Sequence, residues 1–335
     1  MLKNNGELLA HDPEVPASLV AGARDPDLRA RAQREMNFIS EKGIRPLWIT
    51  DQAYPYRLRE CADAPLLLYW QGETLPSRQK MIAVVGTRRA SRWGADACQK
   101  LITGLARLGF SFGVVSGLAS GIDTYAHSAA LDCGMPTYAI LGHGLQEIFP
   151  AGNHQLAQKI CQTGSLLTEF ASSDPFSKGN FVRRNRIIAG LSDAVIVVES
   201  GIKGGAMRTA AMGHSYNREL FAVPGRPTDY FSKGCNLLIK QEMARLVETA
   251  EDVAAALNWD LPTPQKNRSQ PELPFIEALP PSEQKVIALF EKNHILHIDQ
   301  ITEYLEFPIQ KTAEILMKLV IKGVLRSLPG QSYQL

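Results

Sequence analysis

Short apolar segments alternate with amphipathic segments over residues 81–259, and this alternation constrains the fold more than any other feature of the chain. Nearly continuous apolar strands separated by helices are typical of a parallel sheet that helices cover on both faces. We therefore predict an α/β domain built on such a sheet. The predicted strands are 81–86, 112–117, 137–142, 165–170, 194–199 and 220–224, and the predicted helices are 94–108, 121–133, 153–162, 184–191, 206–216 and 250–257.

The pattern changes on either side of this domain, which is expected to cover 76–260. Residues 1–75 form a mixed N-terminal lead-in segment, in which apolar residues at helical spacing predict one helix over 27–42. Prolines and polar residues over 261–280 indicate an extended linker. The last segment, 281–335, is expected to form a small winged-helix domain of three helices and a β-wing.

Composition narrows the class of protein. The chain has 335 residues, enough for two or three domains, and its net charge is only +2, so any basic surface must be local. Its five cysteines are scattered, which argues against a disulfide framework or a zinc site and fits a reducing compartment. No apolar run approaches the ~18 residues of a membrane span, and the first residues lack a signal-peptide pattern. We expect a cytoplasmic protein that uses no cofactor.

Glycine-rich segments follow three of the predicted strands. In a parallel sheet such loops meet beyond the carboxyl ends of the strands, where backbone N–H groups can bind an anion. Gly86 allows a close turn, Thr87 offers a hydroxyl, and Arg88 can bind a phosphate through two N–H groups. These loops therefore indicate a site for an extended polyanion. The candidate residues in them are Gly86, Thr87, Arg88, Ser116, Gly117, Lys203, Gly204 and Gly205.

The segment 178–186 concentrates the positive charge of this domain. It reads Lys-Gly-Asn-Phe-Val-Arg-Arg-Asn-Arg, so four cations, one aromatic ring and two amides lie within nine residues. Cations along a phosphate backbone and an aromatic face for a base are what sequence-independent binding of single-stranded nucleic acid requires. A solvated helix start is the alternative, but basic residues there oppose the helix dipole. The candidate residues are Lys178, Phe181, Arg183, Arg184 and Asn185.

Motifs for nucleotide chemistry are missing from the sequence. Neither the GxGxxG dinucleotide fingerprint nor a P-loop occurs. His127 falls on a helix face that is expected to be buried, and His143 has no paired nucleophile. Asp123 and Glu199 are better explained by capping, the helix dipole or loop orientation than by general-base catalysis. We therefore expect a binding protein rather than an enzyme.

Four motifs together resemble the DprA/Smf family, the DNA-processing proteins of natural transformation. They are Gly-Thr-Arg-Arg-Ala-Ser from position 86, Ser-Gly-Leu-Ala-Ser-Gly-Ile-Asp from 116, Gly-Asn-Phe-Val-Arg-Arg-Asn-Arg-Ile-Ile-Ala-Gly from 179 and Ala-Val-Pro-Gly from 222. The resemblance covers roughly residues 50–260. It implies an extended Rossmann-like sheet domain that binds single-stranded DNA without sequence preference, forms a homodimer and loads RecA-type recombinase onto the strand.

The resemblance also implies roles for particular residues. Arg88 is similar to a phosphate-binding arginine of the family. Lys178 and Phe181 are similar to the family's lysine and base-stacking aromatic residue. In the Arg-Asn-Arg motif, Arg184 is expected to face DNA and Arg186 to face the core.

Two departures from the family pattern stand out. Gly204 occupies the position of a serine in the family's Lys-Ser-Gly loop, which weakens the case for a side-chain phosphate contact there. Residues 1–45 show no helix-hairpin-helix signature, so the family's common N-terminal domain is expected to be absent or reduced to its tail.

Two other functions remain open. Phosphoribohydrolases of the lysine-decarboxylase-like type share a related sheet and a Gly-Gly-x-Gly-Thr-x-x-Glu loop, but the segment from Gly204 lacks the Gly-Thr step and the glutamate. A transcription factor led by the winged helix would need a basic recognition helix, whereas the third helix offers three lysines beside Glu314. Release of a free base from nucleoside monophosphates would favour the first function, and strong preference for one duplex sequence would favour the second.

Overall fold

The chain divides into two compact units, residues 1–263 and 264–335. The structure, a computed structural model, describes residues 16–76, 79–259, 280–290, 295–305, 307–322, 324–328 and 331–334. The expected linker over 261–280 lies outside the described residues except for Pro280.

A mixed sheet of nine described strands forms the centre of the first unit. Its spatial order is β1-β2-β6-β5-β4-β3-β7-β8-β9. Strands β3 to β9 pair in parallel, whereas β1 and β2 are antiparallel at one edge. The predicted fold class is confirmed, with an antiparallel edge added to the parallel sheet. The strands are β1 (Arg45–Trp48), β2 (Leu67–Gly72), β3 (Lys80–Gly86), β4 (Phe112–Ser116), β5 (Thr137–Ile140), β6 (Ser165–Thr168), β7 (Ala194–Glu199), β8 (Glu219–Ala222) and β9 (Arg245–Leu246).

Strands β1 and β2 belong to the segment that the sequence pattern assigned to the N-terminal lead-in. Both strands are only partly buried. In β1 only Leu47 is buried, and Pro46 is tolerated because an edge strand does not need every N–H group for pairing. In β2, the buried residues Leu68 and Trp70 alternate with half-buried neighbours. The sheet domain therefore begins before residue 76.

Helices cover both faces of the sheet. The core on one face includes side chains from α7 to α9, and the core on the other includes side chains from α4, α5 and α10. Both layers are almost entirely aliphatic and aromatic, as expected for strands that are buried on two sides. The helices of this unit are α1 (Ala17–Arg24), α2 (Pro26–Glu41), α3 (Tyr56–Arg59), α4 (Arg92–Arg107), α5 (Ile122–Asp132), α6 (His154–Thr163), α7 (Lys178–Gly190), α8 (Gly205–Ser215), α9 (Lys233–Lys240) and α10 (Ala250–Ala256).

Helix α7 differs most from its predicted bounds, because it begins at Lys178 rather than at 184. The side chain of Ser177 caps this start by accepting a hydrogen bond from the Gly179 N–H group. The whole basic segment is therefore helical. Its side chains point in directions set by helical spacing rather than by their order in the sequence.

The helices and strands described in the second unit are those of a winged helix. Strand β10 (Ile295–His297) follows α11 (Pro281–Phe290), and α12 (Ile298–Leu305) and α13 (Ile309–Ile321) lead to the hairpin β11 (Arg326–Leu328) and β12 (Ser332–Gln334). The three strands form an antiparallel sheet in the order β10-β12-β11. The helices supply most of its buried apolar core.

Candidate nucleic-acid interface

A cavity of about 540 Å³ lies at the carboxyl ends of β3 and β7. From β3 the chain proceeds through β4, β5 and β6 on one side, and it then crosses to β7 on the other side. Ligands of open α/β sheets bind at such a reversal, because the loops that follow the two strands diverge and leave a crevice. The start of α7 and the start of α8 complete the cavity wall.

The loop after β3 is joined by hydrogen bonds to two other elements that border the cavity. The Thr87 N–H group donates to the carbonyl of Glu199 at the end of β7 (2.7 Å), and the carbonyl of Thr87 accepts from the N–H group of Ile122 at the start of α5 (3.2 Å). The Thr87 hydroxyl oxygen accepts from the N–H group of Arg89 (3.1 Å). The backbone at the cavity edge is thus fixed before any ligand binds.

Arg184 is the most unusual side chain in the cavity wall. It is only 3% exposed, yet no hydrogen bond of its guanidinium is found in the part of the chain that the structure describes. A β-carbon at position 117 would overlap this guanidinium, so Gly117 is what allows it to lie there. Burial lowers the pKa of Arg184 to about 10, with Asp123 opposing the shift and Arg88 adding to it. The group is still charged at neutral pH, and a buried charge without a partner is costly unless an anion binds to it.

Asp123 and His127 are buried close to this arginine, and Asp123 also lines the cavity. The Asp123 carboxylate accepts hydrogen bonds from the N–H groups of Gly117 (3.1 Å) and Ala119 (3.3 Å), so it holds the loop after β4. Burial raises the pKa of Asp123, and the charge of Arg184 opposes that rise. Burial and Arg184 together lower the pKa of His127 to about 3, so its ring is neutral at physiological pH. Asp123 thus orients the loop after β4 rather than capping the helix, and His127 is buried as the sequence predicted.

Glu199 and His143 are also buried scaffold residues. The Glu199 carboxylate accepts a hydrogen bond from the Ser91 N–H group (2.9 Å) and so orients the loop before α4. The His143 Nδ1 atom lies 2.8 Å from the carbonyl oxygen of Gly144, and its ring stacks on Phe176. Neither side chain lies beside a nucleophile in a catalytic arrangement among the contacts found for the described residues.

Three phenylalanines, Phe149, Phe176 and Phe181, form one side of the cavity, which we call the phenylalanine wall. Their ring centroids lie 5.1 to 5.9 Å apart. Arg88 extends its guanidinium over the Phe181 ring, 5.5 Å from the centroid. Phe149 and Phe176 are about half exposed and were missed by the sequence analysis. The only signal for Phe176 was its place two residues before Lys178.

The structure brings most of the predicted site residues together. Gly117 and Arg88 also line a smaller cavity of about 100 Å³ that shares Phe149 and Phe181 with the main one. The predicted residues that line the main cavity are Gly86, Thr87, Arg88, Lys178, Phe181, Arg184, Asn185, Lys203, Gly204 and Gly205.

Ser116 and Arg183 do not line either cavity. The Ser116 hydroxyl is buried and donates to the carbonyl of Val84 (2.6 Å), which is a structural bond between neighbouring strands. Arg183 is exposed and forms an ion pair with Glu169 (2.7 Å). Helical spacing explains the difference, because Arg183 and Arg186 lie three residues apart on one face of α7 and both reach the same carboxylate.

Arg186 faces the core, as predicted. It is buried and pairs with Glu169 (2.6 Å), and it also donates to the backbone carbonyl of Asp63. The two arginines of this motif, at positions 184 and 186, therefore differ in their hydrogen bonding. Arg186 has hydrogen-bond partners in the protein, whereas none is found for the Arg184 guanidinium among the described residues.

Three lysines on or next to α13, the third helix of the second unit, contact other side chains of that unit. Lys318 pairs with Glu314 (2.6 Å) and Lys322 pairs with Glu283 (2.7 Å). Lys311 packs over the ring of Phe307. This arrangement does not favour reading of bases in a DNA groove.

No group of histidine, cysteine or carboxylate side chains in the described residues could hold a metal ion. None of the helices that the structure describes is long and apolar enough to cross a membrane.

Comparison with known proteins places this site in context. The family model described as DNA recombination-mediator protein A matches residues 45–258. The chain is 41% identical to the DNA processing protein DprA of Streptococcus pneumoniae over 211 residues, which cover 63% of this chain and 73% of that protein. The X-ray structure of the S. pneumoniae DprA matches with a TM-score of 0.62 at 38% identity, over 70% of this chain and 83% of that one.

A second solved structure extends the comparison to a DNA-binding relative. It is the DNA processing protein A of Helicobacter pylori, whose structure was described for its single-stranded DNA binding mode. It matches with a TM-score of 0.57 at 30% identity, over 64% of this chain and 95% of that one. Since the family model covers more than half of its length, the chain belongs to the DNA recombination-mediator protein A family.

Proposed function

We propose that this protein binds single-stranded DNA without sequence preference at the cavity between β3 and β7. The observation that carries the proposal is the Arg184 guanidinium, which is buried, charged and without a hydrogen-bond partner in the described chain. A phosphate oxygen would supply the missing acceptors and neutralise the charge.

The surrounding groups suit a phosphodiester chain rather than a single small anion. Arg88, Lys178 and Lys203 line the cavity with Arg184, and the first N–H groups of α7 and α8 border it. Several cations spread over one surface can neutralise successive phosphates and release their counterions on binding. Binding should therefore weaken steeply as the salt concentration rises.

The phenylalanine wall supports the assignment to a single strand. Phe181 can offer a ring face to an unpaired base once Arg88 moves from that ring to a phosphate. In a duplex the bases are stacked inside and cannot reach such a ring. Stacking tolerates every base, so we expect little preference among sequences.

We further propose that the protein acts by binding, not by turnover, as a recombination mediator during DNA uptake. In this proposal a cytoplasmic homodimer offers two strand sites and passes the strand to a RecA-type recombinase. Two linked sites would raise the apparent affinity for long strands. The family membership and the H. pylori relative support this function.

The test is fluorescence anisotropy of a labelled oligo-dT and a matched duplex, each titrated with the protein at two salt concentrations. We expect tighter binding to the single strand, with an affinity that falls as salt rises. A random-sequence oligonucleotide should bind within a few fold of oligo-dT. Equal and weak binding to all three probes would refute the proposal, and free-base release from nucleoside monophosphates would then be the next assay.

The dimer and recombinase steps need separate measurements. Light scattering of the purified protein should give twice the mass of the chain. RecA filament formation on oligo-dT should begin sooner in the presence of the protein. A monomer, or an unchanged lag, would refute the corresponding step without affecting the binding proposal.

A further inference from the structure

Tyr230 lies at the rim of the site cavity, on the side away from the phenylalanine wall. Phe149 and Phe176 follow β5 and β6 in the chain, whereas Tyr230 follows β8. Strands β4, β3 and β7 lie between these two groups in the sheet. The cavity therefore has aromatic side chains on two opposite sides.

Folding does not explain the exposure of this tyrosine. Its side chain is 66% exposed, and its hydroxyl has no hydrogen-bond partner among the described residues. The Phe231 ring contacts it edge-on, with centroids 5.1 Å apart and an interplanar angle of 83°. A β-carbon at Gly201 would lie 2.9 Å from the tyrosine ring, so the glycine allows the ring to approach the strand-end loop. The Tyr230 ring thus packs against Phe231 and Gly201, and the rest of it is open to solvent.

The loop that carries Tyr230 is held in place at both ends. The Asn236 side chain donates to the carbonyl of Gly225 (2.9 Å) and accepts from its N–H group (3.2 Å). The backbone of Ser200 donates to the carbonyl of Phe231 (2.6 Å) and accepts from the N–H group of Gly234 (2.8 Å). A fixed ring loses little conformational freedom when a ligand stacks on it, so the loop is preorganised for binding.

Positive groups lie between the two aromatic sides. Arg184 and Lys203 line the same cavity, as does the loop that precedes α8. Bases of one strand alternate with phosphates along the backbone. A strand with one base on the phenylalanine wall and another on Tyr230 would place the intervening phosphates against these cations.

We propose that Tyr230 is a second base-stacking platform, so that each site holds at least two bases of a single strand at once. This inference rests on the proposed function and adds the direction of the strand path, from the end of β5 across β3 and β7 toward β8. Two fixed platforms would select an unpaired, extended strand over a mononucleotide.

The test compares Tyr230→Leu with Tyr230→Phe in the oligo-dT anisotropy assay. Tyr230→Leu keeps an apolar side chain but removes the ring, and we expect it to weaken binding about tenfold. Tyr230→Phe keeps the ring, and its affinity should stay within about twofold of the original. The matched control is Tyr56→Leu, since Tyr56 is also exposed (44%) but lies in α3, at the amino-end side of the sheet.

A double variant tests whether two different bases are involved. Phe181→Leu should also weaken binding about tenfold, and the combination with Tyr230→Leu should multiply the two losses if the rings stack separate bases. All variants should unfold at nearly the same temperature as the original protein.

The possible outcomes distinguish a failure of the second stacking platform from a failure of the proposed single-strand site. If Phe181→Leu weakens binding and Tyr230→Leu does not, the second platform is wrong and the strand site stands. If Tyr230→Phe loses as much as Tyr230→Leu, the hydroxyl rather than the ring is responsible, and stacking is wrong. If neither Phe181→Leu nor Arg184→Met affects binding, the proposed site itself is wrong.

Discussion

Two buried arginines lie at opposite ends of the strands β3 and β7, and their surroundings differ. At the amino ends, Arg57 is 7% exposed and binds both carboxylate oxygens of Asp193, at 2.5 and 2.9 Å. The same carboxylate accepts from the N–H group of Met81, where β3 begins (2.8 Å). At the carboxyl ends, Arg184 is 3% exposed and has no such partner in the described chain.

The comparison separates a structural charge from the charge that we propose to bind a ligand. The Arg57 pair joins α3 to the starts of both strands, and its hydrogen bonds offset the cost of burial. Arg184 has the same cost without the compensation from hydrogen bonds, although Asp123 lies close enough to oppose the lowering of its pKa. The charge of Asp123 offsets only part of the cost of burying Arg184, so we attribute this arginine to a ligand that carries negative charge.

The largest effect on stability should come from removing the ion pair between Arg57 and Asp193. Arg57→Met leaves Asp193 partly buried without its cation, and we expect a loss of about 3 kcal/mol in the free energy of unfolding. Denaturant titration followed by circular dichroism measures this loss. Affinity for oligo-dT, measured where the variant is still folded, should be unchanged. Stability like that of the original protein would show that the pair is not structural.

Replacement of Arg184 should instead affect DNA binding more than stability. Arg184→Met removes a charge-assisted contact with phosphate, and we expect affinity for oligo-dT to fall by about 10- to 100-fold. Its thermal unfolding temperature should fall less than that of Arg57→Met, because the Arg184 guanidinium has no hydrogen-bond partner among the described residues and acts on the buried Asp123 through its charge alone. Methionine is preferable to glutamate, which would bury a second carboxylate beside Asp123. A large drop in unfolding temperature with intact binding would reverse our interpretation.

The smallest effect is expected for Arg183. Its neighbour Val182 lines the cavity, but the Arg183 side chain pairs with Glu169 and does not line it. Arg183→Gln should change oligo-dT affinity by about threefold or less, since an exposed cation at this distance acts only through screened charge. Anisotropy at low and high salt measures it, with Arg184→Met as the comparison. A loss as large as that of Arg184→Met would mean that Arg183 leaves Glu169 to bind DNA.

Several parts of the fold could be predicted from local sequence. Strand β7 is apolar from Ala194 to Val198 and was predicted with its observed bounds, because a strand buried on both faces has no polar alternation to interrupt it. Strands β1 and β2 were missed for the opposite reason. They are partly exposed, and they are strands because β1 pairs with β2 and β2 pairs with β6.

Most residues of the proposed site were named from the sequence, but their arrangement was not. Loops at the strand ends and the cations of 178–186 indicated phosphate binding, and most of these residues line one cavity. The predicted helix began too late, at 184, so the directions of the arginine side chains could not be derived. The second aromatic side of the cavity, with Tyr230, depended on the position of β8 in the sheet.

The sequence by itself determined which groups could bind DNA, because charge, aromatic character and glycine content belong to the residues. Only the tertiary structure decided which arginine would have a partner. Arg57 and Asp193 are 136 positions apart, and no local pattern connects them. The Arg184 guanidinium has no hydrogen-bond partner among the described residues, and the sheet brings Gly117 against it, where a glycine offers no side-chain acceptor. Pairing depends on distance in space, and folding alone sets that distance.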